Sequence, residues 1–228
     1  FVAKLKKLTF EEKIPLSKPE RRAIGIDSSG NVKYKEIREA AAQHISDGTI
    51  RLSRRYLSDI IHEFMHGWED AAPKRIKEIF YNISWDGNTI RSTNLQNFVN
   101  NDAMTSPTED LADTGEEYVC ESSIFRPAAR LFMKRGHFER AVKYLFVKYV
   151  ILKDYDGSFF EYGIYKYSSS ITIEEVETAI KNSKFHVPEN VLEAIKEIKK
   201  LAHNGEVYGN LKGIGQRLKY LAVTQWAI

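Results

Sequence analysis

A chain of 228 residues, 43 % hydrophobic and 29 % charged, can bury a full core and reads as one elaborated globular domain. Its net charge of +3 and pI near 8.7, with basic residues scattered among acidic ones, give no reason to expect a nucleic-acid partner, and no apolar run is long enough to span a bilayer. The single cysteine, Cys120, excludes a disulfide framework within the chain and a cysteine-based metal site, and suits either an oxidising or a reducing compartment. A first residue Phe1 rather than Met leads us to expect a processed or trimmed product, in which a targeting segment, if there was one, need no longer be present.

In chain order, residues 1–22 are basic and interrupted by Pro15 and Pro19, so an N-terminal arm or linker is expected there, with the folded domain over 23–228. Arg22–Asp27 reads as a short strand, Ser28–Asn31 as a turn, and Val32–Tyr34 as the start of the next element. The alanine-rich run from about Lys35 to Ile45 predicts a helix ended by Asp47-Gly48. Thr49–Ser53 alternates like a strand, and a helix is expected from about Ser53 to Ala71, stopped by Pro73. A linking helix follows around Lys74–Phe80. Asp86-Gly87 then sits between short β-prone runs as a hairpin or loop.

Beyond the irregular stretch Asn94–Ser106, Pro107 opens an acidic helix running to about Glu121. Helices are expected around Arg126–Lys134 and His137–Leu152, broken at Gly136, then an aromatic strand Phe159–Tyr167. A capping box at Thr172–Glu175 starts a helix to about Asn182, Pro188 starts one ending before Gly205, and Leu211–Trp226 reads as helical. The part from about 158 to 228 is therefore expected to be a mainly helical sub-region.

The chemistry concentrates in His62-Glu63-Phe64-Met65-His66. On a helix, residues four apart share a face, so the two imidazoles can converge on one ion while Glu63 stands beside them as a general base. Leu57, Ile60, Ile61, Phe64, Met65 and Trp68 supply the apolar face of such a helix. Catalytic zinc usually takes three protein ligands and keeps the fourth position for water, so a further donor is required. Glu109 and Asp113 stand four apart on the helix opened by Pro107: Glu109 is the expected third ligand and Asp113 the acceptor of a histidine ring N–H, with Asp110, Asp113 and Glu117 as alternative ligands. Acidic residues in a first helical turn are also favoured by the helix dipole alone. The strand ahead of the metal helix, with Ile50, Arg51 and Leu52, is a candidate edge for binding a substrate peptide by main-chain hydrogen bonds.

These two motifs, His62–His66 and the stretch Phe98–Asp113 ending in Pro107-Thr108-Glu109-Asp110-Leu111-Ala112-Asp113, resemble those of the gluzincin zinc metallopeptidases, and within them the lethal-factor-like and Pro-Pro-endopeptidase-like group. The resemblance covers about residues 49–121. It implies an α+β, zincin-like fold: a small twisted sheet with an edge strand, an active-site helix, and a mainly helical C-terminal part. It also implies Zn2+ on His62, His66 and Glu109, Glu63 as general base, Asp113 in support, and a protein or peptide as substrate. A secreted or delivered effector or toxin protease would fit it. In that group a tyrosine seven residues before the ligand glutamate steadies the oxyanion, whereas Asp102 stands here and cannot donate while ionised. The alternative reading is a toxin-like or binding module that keeps zinc with little or no turnover; a third is a hydrolase of a non-peptide amide.

Overall fold

The computed structural model describes residues 7–45, 49–53, 56–152 and 169–205. The architecture is α+β, with strands gathered at the N-terminal side and helices after them. Strand β1 (Lys7–Phe10) pairs parallel with β5 (Thr49–Leu52), and β4 (Ala42–Ile45) pairs antiparallel with the other side of β5, giving the order β1-β5-β4. Strands β2 (Ile14–Ile26) and β3 (Val32–Ala40) form a separate antiparallel ribbon. Its turn is set by Asp27, whose Oδ1 accepts from Ser29 N and Asn31 N, and by Gly30 at φ +83°.

Two expectations need correction here. The arm expected over residues 1–22 is, from Lys7 on, built into β1 and β2, and the boundary expected at residue 22 falls inside β2. Pro15 and Pro19 are tolerated because a two-stranded ribbon leaves one side of β2 without a ladder to donate to, and the register shifts between Pro15 and Glu20. The helix expected over Lys35–Ile45 is instead β3 and β4. Alanine, glutamate and arginine favour a helix only weakly, and pairing with β2 on one side and β5 on the other outweighs that preference.

Helix α1 (Leu57–Ala71) buries Ile60, Ile61, Phe64, Met65 and Trp68. Ile60 closes against Ile50 and Leu52 of the sheet, while the others join the main core under the helices. After α2 (Lys74–Ser84) comes the small hairpin β6–β7 (Trp85–Asp86 with Thr89–Ile90). Helix α3 (Pro107–Cys120) begins as its sequence predicts: Ser106 Oγ accepts from Glu109 N at 3.2 Å and Pro107 occupies the first turn. It packs directly on α1, and Gly115 makes this possible, since a Cβ there would lie 2.5 Å from Met65 Cε and 2.6 Å from Met65 Cγ. Burying these faces is the main force holding the two helices together.

Helices α4 (Ser122–Met133) and α5 (Glu139–Phe146, continued by a wide turn over Val147–Ile151), then α6 (Ile173–Lys181) and α7 (Glu189–Asn204), complete the core. The Thr172 cap, accepting from Glu175 N at 3.1 Å, and the left-handed Gly205 end are as expected. The strand Phe159–Tyr167 and the helix Leu211–Trp226 lie outside the described residues. Among the described residues, no helix is long and apolar enough to cross a membrane.

Candidate metal centre

Helix α1 presents His62 and His66 on the face turned towards the first turn of α3, which presents Glu109. Their ligating atoms converge. His62 Nε2 and His66 Nε2 are 3.1 Å apart, His62 Nε2 is 3.3 Å from Glu109 Oε2, and His66 Nε2 is 3.6 Å from Glu109 Oε1. Three corners of a tetrahedron whose centre lies about 2.0–2.1 Å from each corner are about 3.3–3.4 Å apart; the two separations from His62 Nε2 fall near this, the 3.6 Å one runs to the other Glu109 oxygen, and the group could hold a metal ion of that size.

The tautomer of His62 follows from its other nitrogen. Nδ1 lies 2.9 Å from Asp113 Oδ1 and 3.4 Å from Glu116 Oε2, so it is the nitrogen placed to donate to these carboxylates, and in the neutral ring Nε2 would keep its lone pair for an ion. Asp113 is one helical turn beyond Glu109 on the same face of α3, the spacing read from the sequence. The local field favours positive charge. Burial works against a charged His62, but Asp113, Glu109 and Glu116 outweigh it and raise its pKa well above the usual value. Burial would likewise raise Glu109, yet His62, His66 and Arg22 together pull it down to about 2, so the carboxylate stays ionised. Asp113, sealed more deeply, is pushed up to about 6 by burial in spite of His62.

Glu63 is buried at 6 % exposure and lines an open cleft of about 710 Å³ together with His62, Asp113, Arg22 and the segment Ala40–Ala42. Of the alternative ligands, Asp113 stays at the site and forms, with Glu116 and His62, a second group that could hold an ion, while Asp110 and Glu117 are committed elsewhere. Asp110 is fully buried and held by Lys143 Nζ at 2.7 Å and Trp85 Nε1 at 2.9 Å, with Lys143 also donating to Asn97 O; Glu117 pairs with Arg140 at 2.6 Å. These contacts pin the far side of α3 while its near side holds Glu109.

The role expected for Ile50, Arg51 and Leu52 is corrected. β5 is the central strand, with β1 and β4 taking both its edges, so it has no free main-chain ladder for a peptide. Ile50 and Leu52 are completely buried, and Arg51 is tied to Glu11 through Nε at 2.6 Å. The outer strand beside the cleft is β4. Tyr118 and Tyr144 are core residues, and His137 meets the Asn94 amide, so none of the three lines the cleft.

Sequence reasoning missed Arg22 and Glu116. Arg22, on β2, donates from Nη1 to Glu109 Oε2 at 2.6 Å and to Asp102 Oδ2 at 3.0 Å. No local pattern announces this, because the partner lies 87 residues away in the chain. Glu116 continues the i, i+3 face from Asp113 and was visible as an acidic residue without an assigned task.

What fold and donor set define together is an α+β protein with a three-residue site suited to a divalent ion, beside a carboxylate facing a cleft. Comparison with protein-family models, with curated proteins and with solved structures yields no match to this chain.

Proposed function

We propose that the chain is a zinc-dependent endopeptidase. The observation that carries this reading is the convergence of His62, His66 and Glu109 within reach of one ion, with Glu63 next to the first of them and lining the cleft. A zinc ion held by the three side chains would act as a Lewis acid, acidifying a water and polarising a carbonyl oxygen. Glu63 would accept a proton from a water in the cleft as the water oxygen bonds to the carbonyl carbon, and would deliver that proton to the amine nitrogen as the C–N bond breaks. Asp113 keeps His62 in the ligating tautomer throughout. The segment Ala40–Ala42 and the outer strand β4, bordering the cleft, offer an extended peptide a main-chain edge, which supports a polypeptide substrate. A setting outside the producing cell, as a secreted or delivered effector, belongs to the same proposal and is supported by the resemblance of the two motifs.

The test is zinc analysis of the purified protein followed by incubation with a proteome-derived peptide library and mass spectrometry of products. Glu63→Gln is expected to retain zinc and lose cleavage by roughly a hundredfold to ten-thousandfold. Stoichiometric zinc with no cleavage by either protein would favour the binding-module reading; no zinc would remove both.

A further inference from the structure

A cation that touches the proposed metal centre comes from the β2–β3 ribbon, outside both sequence motifs. Arg22 is largely withdrawn from solvent, its side chain 21 % exposed, and its Nη1 bridges Glu109 Oε2 and Asp102 Oδ2. Nη2 adds a longer contact of 3.4 Å to Glu20. Asp102 is itself fixed, because its other oxygen accepts from Thr105 Oγ1 at 3.1 Å, and that hydroxyl oxygen accepts from Ala23 N at 2.8 Å. Asn101 Nδ2 donates to Ile24 O one residue further along β2. Residues 22–24 are thus fastened at three successive points to the turn that leads into α3.

A clip holding the ribbon down would need only the main-chain ties at Ala23 and Ile24. Arg22 goes further and spends its shortest hydrogen bond on the carboxylate that faces the two histidines. The two oxygens of that carboxylate face one imidazole each, Oε2 towards His62 and Oε1 towards His66, and the charged donor at 2.6 Å restrains Oε2 and draws electron density from it. With Oε2 engaged by the guanidinium, Oε1 is the oxygen left freer for an ion, whereas an unrestrained carboxylate can swing and close on it with both.

Resting on the zinc reading above, we infer that Arg22 is a positioning residue of the metal centre, locking Glu109 as a ligand through one oxygen, with Asp102 as the group that holds Arg22 in place. The carboxylate at position 102, which cannot itself donate to an oxyanion, thereby has a defined task.

The test uses cobalt as the probe, because its visible absorption weakens as coordination number rises. Apo protein, Arg22→Met and Arg22→Lys are titrated with cobalt against a competing chelator, spectra are recorded at saturation, and unfolding of each apo form is followed by circular dichroism. Loss of a hydrogen-bonding partner of a metal ligand typically weakens affinity about 10–100-fold, which is expected for Arg22→Met, together with a weaker visible band. Arg22→Lys, keeping charge and one donor, should recover part of both. Asp102→Asn, which leaves Arg22 on Glu109 but loosens it, should fall between wild type and Arg22→Met, and it serves as the decisive variant if Arg22→Met does not fold. Wild-type affinity and an unchanged spectrum in the folded variants would overturn the role of Arg22 alone. Absence of cobalt uptake by the wild type would instead overturn the metal centre, and this inference with it.

Discussion

Asp113→Asn and Asp113→Ala probe how the second histidine nitrogen sets the first. Asp113 is 5 % exposed and accepts from His62 Nδ1 at 2.9 Å, a bond between an imidazole N–H and a charged oxygen in a dry place. Hydrogen bonds to charged groups contribute about 1.5–3 kcal/mol, and a tenfold change in a binding constant corresponds to about 1.4 kcal/mol, so under the proposed zinc reading the geometry predicts a loss of about 10–100-fold in zinc affinity. Independent experience with hydrogen-bonded partners of metal ligands gives the same range. Asparagine still offers an oxygen to Nδ1 and should sit near the tenfold end; alanine should sit near the hundredfold end. Glu116 is the internal control. It lies 3.4 Å from the same nitrogen with its side chain 30 % exposed, and a partner that distant and hydrated is worth about 1 kcal/mol or less, so Glu116→Gln should weaken zinc by about fivefold at most. Calorimetric or chelator-competition titration at one pH measures all four proteins. Equal losses for Asp113→Asn and Glu116→Gln, or none for either Asp113 variant, would refute the tautomer argument.

Two further predictions concern the support behind the site. Lys143→Met should destabilise the fold by about 3–5 kcal/mol in urea unfolding, because Asp110 would keep a buried charge with its cation gone; a smaller loss in the double variant Lys143→Met, Asp110→Leu would confirm the cause. Burial pushes Glu117 up to about 7 despite Arg140, so the folded state holds that proton more tightly than the unfolded chain does. Its contribution is full below the unfolded value of about 4.5 and is lost as pH rises to about 7, up to about 3 kcal/mol in all. The stability of the wild type relative to Glu117→Gln should therefore fall across that window and stay level above it, and a flat difference would contradict the buried assignment.

The parts of the site that could be read from sequence are those whose partners are local. His62 and His66, and Glu109 and Asp113, are pairs four apart on helices, and the start of α3 is written in Ser106-Pro107. The meeting of the two helices was inferred from the need for a third ligand, and the geometry agrees. What could not be read depends on distant pairing. Lys35–Ile45 has helix-forming composition and becomes strand only because β2 and β5 lie beside it. The alternation in Thr49–Leu52 revealed a strand with two faces but carried no information about its neighbours, and β1 takes the edge that a peptide would have needed. Arg22 was invisible for the same reason, since its place beside Glu109 is decided by how the ribbon folds over the turn at Asn101–Thr105.

Gly115 has a reach beyond its own contact with Met65. Because the missing side chain lets α3 lie close against α1 where Met65 passes, it favours this register of the two helices. A slip of one turn, about 5.4 Å, would carry Glu109 out of range of both imidazoles. The notch therefore bears on whether His62, His66 and Glu109 meet at all, so a side chain introduced at position 115 is expected to spread these three groups apart.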